Sequence, residues 1–204
     1  MRKNFSRHNF SDTQFYRLLT ATVVPRPIAW VASRSAEGVD NLAPHSFYTV
    51  ASVKPPVLQF TSVGCKDTLN NIRETGEFTV NLATERLFEK VNATGTAFGR
   101  RVSEFDAVNL TREPSLTIAV PRVKESPVSV ECLLNRIIPV GDCFIVLGEV
   151  LHAAVDEDAL EDNHPLIEKL QPLSRLGRDE WGTAGQIRRI SRIRAEEWPG
   201  HFRD

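Results

Sequence analysis

The chain has few cysteines and no long apolar run. Its 204 residues include three cysteines, Cys65, Cys132 and Cys143, and no Cys-x-x-Cys pair. We therefore expect reduced thiols rather than a disulfide framework or a zinc site. No apolar run approaches the roughly 20 residues that cross a bilayer. The basic amino terminus has no apolar segment behind it, which argues against a secretory signal. These absences predict a cytoplasmic protein without a membrane partner.

Several signatures of other protein classes are also missing. The formal net charge is −1, so the basic field of a nucleic-acid-binding protein is absent. There is no Gly-x-Gly-x-x-Gly after a predicted strand, no Gly-Lys-Ser/Thr loop and no Gly-x-Ser-x-Gly elbow. The five histidines lack metal-ligand spacing, so no metal site is predicted. Any nicotinamide nucleotide must therefore bind without a Rossmann domain.

Length and patterning predict one mainly β domain. With 41% hydrophobic residues over 204 positions, the chain can bury one core. We expect a single domain over 1–204, with its core at about 14–155 and an acidic connector and C-terminal extension over 156–204. Alternating apolar residues predict antiparallel strands at about 26–34, 41–51, 56–62, 77–82, 128–139 and 143–154. Gly141-Asp142 reads as the turn of a hairpin between the last two strands.

Helices are predicted around this sheet. Asp12 is a candidate cap for a helix over 14–20, and further helices are expected at about 67–74, 84–92, 103–107 and 164–170. The segment 94–114 has scattered charges and little periodicity, so we expect a long functional or dimer-facing loop. Isoleucines at three-residue spacing predict an amphipathic helix or strand in the tail, over about 188–203.

The segment from Asn41 to Phe47 interrupts a predicted strand. Asn, Pro, His and Ser stand where apolar alternation should continue, and Pro44 cannot donate to a sheet ladder. Two interpretations are open. The segment is either a bulged edge strand, or a place where free main-chain groups beside small side chains pair with a flat polar ligand.

A candidate phosphate site follows the next strand. Lys66, Asp67 and Thr68 open a predicted helix just after Ser62 and Gly64. The free N–H groups of a helix start, a lysine and two hydroxyl groups suit a phosphate. An ordinary capped helix is the alternative.

These segments carry a family resemblance. Five segments, taken in chain order, resemble the flavin reductase-like family of FMN-binding split barrels. They are Pro25-Arg-Pro-Ile-Ala-Trp30, Asn41-Leu-Ala-Pro-His-Ser-Phe-Tyr48, Lys66-Asp-Thr-x-x-Asn-Ile72, Ser103-Glu-Phe105 and Arg175-Leu-Gly177. The likeness spans roughly residues 14 to 182. It implies a six-stranded antiparallel split β-barrel with peripheral α-helices. It also implies bound FMN, a homodimer, and hydride transfer from NADH or NADPH to flavin.

Other functions on the same fold stay open. One is a non-catalytic FMN-binding electron carrier or flavin store, since a fold does not fix a function. A split-barrel oxidase acting on a phosphorylated small molecule is another, although its sequence pattern is not seen. A monooxygenase partner that receives reduced flavin is compatible with the resemblance.

The resemblance also implies a set of site residues. No side chain is expected to be catalytic, because the hydride chemistry belongs to the flavin. Main-chain groups of the segment 43–47 would contact the flavin ring, with His45 as a surface side chain whose backbone matters, while the lysine and the hydroxyls hold the phosphate. The predicted cofactor-binding residues are Arg26, Asn41, Ala43, Pro44, His45, Ser46, Phe47, Thr61, Ser62, Lys66, Asp67, Thr68, Asn71 and Arg100. The predicted substrate-binding residues are His152, Arg175 and Trp181.

Several of these assignments have plain alternatives. Arg26, fixed between two prolines, suits either a phosphate or a surface carboxylate. Arg100 or Arg101 reaches a phosphate of FMN or of the nicotinamide nucleotide, or is simply solvated. His152 stacks on nicotinamide or is structural. Tyr is common in the family at the position of Trp181, which keeps a stacking ring and changes its polar group.

Overall fold

The computed structural model describes residues 1–198. Its main sheet has seven antiparallel strands: β1 (Ala29–Arg34), β2 (Asp40–His45), β3 (Tyr48–Ser52), β4 (Val57–Val63), β5 (Glu77–Leu82), β6 (Val128–Val140) and β7 (Cys143–Val155). Their order across the sheet is β2-β1-β5-β6-β7-β4-β3. The predicted hairpin is confirmed, since Val140 pairs with Cys143 across a turn in which Gly141 has a φ of 60°.

The sheet curls into a split barrel because its two edge strands are consecutive in the chain. Only Ser46 and Phe47 separate the end of β2 from the start of β3, yet β2 pairs with β1 and β3 pairs with β4 on the opposite edge. The Phe47 carbonyl accepts from the Thr61 N–H at 2.9 Å. The predicted split-barrel class is confirmed. The predicted strand 41–51 is two strands, so the barrel has seven strands instead of six.

Helices surround the barrel. They are α1 (Asp12–Thr22), α2 (Asp67–Thr75), α3 (Phe88–Ala93), α4 (Glu104–Ala107) and α5 (Ile167–Leu170). Ser11 caps α1 instead of Asp12, through a capping box with Gln14. Short 3₁₀ turns occupy Glu85–Leu87, Glu157–Ala159 and Ala195–Glu197. Two-residue strands lie at Arg26–Pro27, Arg112–Glu113, Arg122–Val123, Leu160–Glu161, His164–Pro165, Ser174–Arg175 and Trp181–Gly182.

Strand β1 is buried on both faces and fixes the position of β2. Alternate side chains of a strand point to opposite faces, so Ala29 and Val31 join the barrel interior, while Trp30 joins a second core beneath α3 and α4. The Trp30 indole N–H donates to the Thr94 hydroxyl at 2.8 Å. A buried side chain of this size contributes about 1.5–3 kcal/mol or more. Burial therefore anchors both β2 and the segment that follows α3.

The C-terminal tail differs from the prediction. Residues 183–194 form neither helix nor strand, and Ile190 is 92% exposed. The predicted amphipathic element is therefore wrong over residues 188–194, where Ile190 stands in solvent. A 3₁₀ turn occupies Ala195–Glu197, and residues 199–203 of the predicted element lie outside the described residues. Within 1–198, no helix has the length and apolar character needed to cross a membrane.

Candidate functional site

A cavity of about 440 Å³ opens where β2 leaves the sheet, beside the start of α2. Its volume falls within the range of roughly 300–1,000 Å³ that is usual for small-molecule sites. Ten of the predicted cofactor-binding residues line it together: Asn41, Ala43, Pro44, His45, Ser46, Phe47, Thr61, Lys66, Asp67 and Thr68. The fold thus brings the interrupted strand and the candidate phosphate site to one place.

The edge of β2 offers mainly acceptors to this cavity. The Leu42 N–H donates to the Glu104 carboxylate at 2.8 Å and not to β1. In an antiparallel ladder the N–H and C=O of one residue point the same way, and every second residue repeats that direction. Leu42 and Pro44 therefore turn their main-chain groups outward. Pro44 lines the cavity and Leu42 does not. Because proline has no N–H, the group that Pro44 offers is a carbonyl oxygen, which suits a donor on a flat ligand.

The start of α2 lacks a side-chain cap. Lys66 stands at the N-cap position, and no side chain accepts from the first turn of the helix. The first N–H groups of a helix have no partner within the helix. Together with the helix dipole and a lysine, they form a site that favours an anion. Asp67 lies in the first turn and opposes this charge in part.

A buried hydrogen-bond network ties β2 to α2 and α4. Asn41 donates through Nδ2 to the Glu104 carboxylate at 2.9 Å and accepts through Oδ1 from the Thr68 hydroxyl at 2.8 Å. Burial raises the pKa of Glu104, while the bonds from Leu42 and Asn41 lower it less. Glu104 lines the cavity but was not predicted. The Ser103-Glu-Phe105 segment was the signal available for it, and its partners lie too far away in sequence to be inferred.

His45 is a buried side chain, so its prediction as a surface residue is wrong. It is 8% exposed and packs on Phe60 with 4.7 Å between ring centroids. The bend after β2 turns the imidazole against β4. Burial lowers the pKa of His45 to about 4, and the charge of Lys66 adds to this shift. His45 is therefore neutral near pH 7.

Four predicted cofactor-binding residues do not line the cavity. Arg26 donates through its guanidinium to the carbonyls of Thr20, Val23 and Leu176. The Thr20 carbonyl belongs to the last turn of α1, where a cation is stabilised by the unpaired carbonyl groups of the helix end. Arg26 thus joins α1 to the segment that follows Ser174–Arg175, instead of pointing at a phosphate or a carboxylate.

The other three are also engaged elsewhere. Ser62 is fully buried and donates to the Gly64 carbonyl at 2.9 Å. Asn71 is buried, and its amide donates to a serine hydroxyl of β1 at 3.2 Å. Arg100 is exposed and pairs with Glu74 at 3.2 Å. These residues support the loop and helix around the site without facing the cavity.

The loop after α3 supplies lining residues that the sequence did not single out. Residues 94–98 line the cavity, as do Tyr16 of α1, Val63 and Cys65. The Tyr16 ring lies 6.3 Å from that of Phe47. The sequence predicts a functional loop over 94–114. Its first residue, Thr94, is tied to β1 by the bond from Trp30, and no local pattern in the sequence shows that contact.

A side cavity of about 240 Å³ adjoins the first. Both cavities share Pro44, Ser46 and Gly95, and the side cavity adds Ile28, Asn92, Arg175 and Trp181. The two predicted substrate-binding residues Arg175 and Trp181 thus lie together. His152 lines neither cavity and pairs with Glu131 across β6 and β7. Within 1–198, no three His, Cys, Asp or Glu side chains are arranged to bind a metal ion.

Comparisons with known proteins agree with this architecture. The profile of the flavin reductase-like domain matches residues 21–173. An uncharacterized protein of Aquifex aeolicus is 41% identical over 168 residues, which cover 79% of this chain and 86% of the relative.

Two solved structures are similar over nearly their whole length. Nitrilotriacetate monooxygenase component B from Bacillus cereus is 32% identical with a TM-score of 0.89, covering 93% of this chain and 99% of its own. The 2-nitrobenzoate 2-nitroreductase of Pseudomonas fluorescens is 32% identical with a TM-score of 0.87, covering 94% and 96%.

Proposed function

The chain belongs to the flavin reductase-like family, and from this premise we propose that it binds FMN and transfers a hydride from NADH or NADPH to flavin. The observation that carries the proposal is the meeting of two features in one cavity. An outward-facing strand edge lies beside an uncapped helix start that bears a lysine. A flat ring joined to a phosphate has the chemistry to use both.

The lining residues fit FMN. The cavity of about 440 Å³ is large enough for one flavin. The outward carbonyl of Pro44 would accept from the ring N–H, and the small side chain of Ala43 leaves room for close approach. Lys66 and the first N–H groups of α2 would bind the phosphate. Bound flavin would supply the hydride acceptor, while the protein positions the ring and excludes water.

The chain's own groups set the electrostatics of the site. His45 is neutral and adds no charge beside the ring, whereas Lys66 and the helix start supply positive potential. Glu104 occupies the Leu42 N–H and holds Asn41 in place. It therefore acts as a positioning residue for the strand edge.

Anaerobic mixing tests the proposal. FMN-loaded protein is mixed with NADH and, separately, with NADPH, and the visible absorbance of the flavin is followed. Rapid loss of absorbance with one nucleotide is the expected result. If neither nucleotide bleaches the flavin, hydride transfer is refuted. Fast reduction by a reduced protein donor in that case would identify an electron carrier.

The physiological acceptor forms part of the proposal. Of the two solved structures at 32% identity, one is a monooxygenase component and the other a nitroreductase. The first supports a function in which reduced flavin passes to a partner oxygenase. Coupled turnover with an oxygenase, measured as hydroxylated product per nucleotide consumed, tests this step.

We also propose a homodimer in a reducing cytoplasm. Apolar side chains on β3, β6 and β7 are exposed, including Val50, Leu133, Val140 and Leu151. Apolar surface of this kind marks interfaces between subunits. Sedimentation should give twice the chain mass. The three free thiols fit a reducing compartment.

A further inference from the structure

The side cavity contains an arginine without an acidic partner. Arg175 donates to the Arg178 carbonyl at 2.9 Å and lies 4.6 Å from the centroid of the Trp181 ring. Among residues 1–198 it forms no ion pair. An arginine that stacks through its flat face keeps its edge N–H groups free for an anion. The remaining donors of Arg175 are therefore available to a ligand.

The surroundings of Arg175 favour a negative group. Arg26 is its partner in the short antiparallel pair, and the terminal N–H groups of Arg26 are bound to carbonyls. Burial and then the charge of Arg175 lower the pKa of Arg26. The two cations therefore repel each other, and a bound anion would relieve this repulsion. Trp181 is itself fixed edge-on by Phe88, with 5.1 Å between centroids. The cation is thus held in place before any ligand binds.

The position of the side cavity limits what can occupy it. It shares Pro44, Ser46 and Gly95 with the main cavity, so one ligand can extend from one cavity into the other. At about 240 Å³ it is smaller than the roughly 300 Å³ at which sites for whole ligands begin. It therefore suits an anionic part of a molecule whose ring lies in the main cavity.

We propose that the side cavity binds the pyrophosphate of the reduced nicotinamide nucleotide through Arg175, with Trp181 holding the guanidinium in position. This assignment rests on the proposed function, in which such a nucleotide is the hydride donor. The phosphate of FMN is assigned to Lys66, which lines the main cavity only. Arg175 lines the side cavity only. The two phosphate groups therefore have separate binding residues.

Arg175→Gln tests the inference, with Arg188→Gln as a control that makes the same charge change at an exposed arginine. The first readout is equilibrium dialysis of ADP-ribose against FMN-loaded protein. Loss of one charge-assisted contact predicts about tenfold weaker binding in Arg175→Gln, and no change in the control. Equal binding in wild type and Arg175→Gln, or no binding to the wild type, overturns the inference.

The second readout compares two hydride donors. The nicotinamide nucleotide carries a pyrophosphate, whereas N-benzyl-1,4-dihydronicotinamide carries none. Arg175→Gln should lower kcat/KM for the nucleotide about tenfold more than for the benzyl compound. Equal losses with both donors would mean a structural effect and refute the assignment. Weaker FMN binding in this variant would place the FMN phosphate at Arg175 and also refute it.

Two outcomes distinguish a failure of the binding assignment from a failure of hydride transfer. A wild type that binds ADP-ribose through Arg175 but is not reduced by either nucleotide refutes the hydride transfer and leaves the binding assignment standing. A wild type that is reduced normally, with Arg175→Gln indistinguishable from it in both readouts, refutes the binding assignment and leaves the hydride transfer standing.

Discussion

Replacing Lys66 by alanine should weaken FMN binding through the phosphate alone. A hydrogen bond to a charged group contributes about 1.5–3 kcal/mol when it is protected from solvent. Lys66 is exposed at the helix start, so solvent and salt screen part of this energy. We therefore expect a loss of about 1–2 kcal/mol, which corresponds to a roughly 5- to 30-fold increase in Kd.

Riboflavin, which lacks the phosphate, makes this prediction specific. Quenching of flavin fluorescence would give the Kd of FMN and of riboflavin for the wild type, Lys66→Ala and Lys124→Ala. Lys124 is an exposed lysine that does not line the cavity, so its removal controls for net charge. FMN affinity should fall in Lys66→Ala only, and riboflavin affinity should stay constant in all three proteins. Raising the salt concentration should reduce the difference in FMN affinity between the wild type and Lys66→Ala.

Two results would contradict the assignment of Lys66 to the phosphate. Unchanged FMN affinity in Lys66→Ala would remove the start of α2 as the phosphate site. An equal loss for FMN and riboflavin would show that the substitution acts on the fold of the cavity and not on the phosphate.

Three other substitutions probe the cavity, the barrel core and the buried histidine. Ala43→Leu should expel FMN while leaving the thermal midpoint of unfolding unchanged, and a yellow holoprotein would remove Ala43 from the site. Gly148→Ala should destabilise the barrel by about 1–3 kcal/mol, because the new Cβ would lie 2.2 Å from the buried Phe78 ring. Gly99→Ala is the control, because no atom lies within 4 Å of a Cβ added there. Equal thermal midpoints of unfolding for Gly148→Ala and Gly99→Ala would contradict the predicted clash with Phe78. Folding lowers the pKa of His45 from 6.5 to about 4, so the unfolded chain binds this proton more readily than the folded protein. The neutral His45 therefore contributes its full share to the free energy of unfolding above pH 6.5. That share is lost as the pH falls towards 4. Urea unfolding at several pH values should show the wild type losing up to about 3 kcal/mol more than His45→Gln over this window, and parallel curves would contradict it.

Local patterns in the sequence predict much of the barrel. The alternation in β5 and the turn at Gly141 lie within short windows, where side-chain period and turn chemistry decide the structure. The break at Pro44 and the lysine that opens α2 mark two parts of the site for the same reason. Each feature depends on neighbours a few residues away. The structure has the strand and the turn as predicted, and Pro44 and Lys66 line one cavity.

Other features depend on contacts between distant residues. Asn41 and Glu104 are 63 positions apart, and nothing near Glu104 indicates that it would occupy an N–H of β2. His45 appears polar in the sequence, yet closure of the barrel at Ser46 buries it. Arg26 between its prolines resembles an anion ligand, but three carbonyls brought together by the fold use its donors. Tertiary structure decides these positions, and local propensity does not.

A crystal structure of the FMN-loaded protein would show directly where the flavin lies. We expect the flavin ring along the outward edge of β2, beside Ala43 and Pro44, with its phosphate on Lys66 and the first N–H groups of α2. Flavin bound elsewhere, or bound with its phosphate on Arg175, would contradict it.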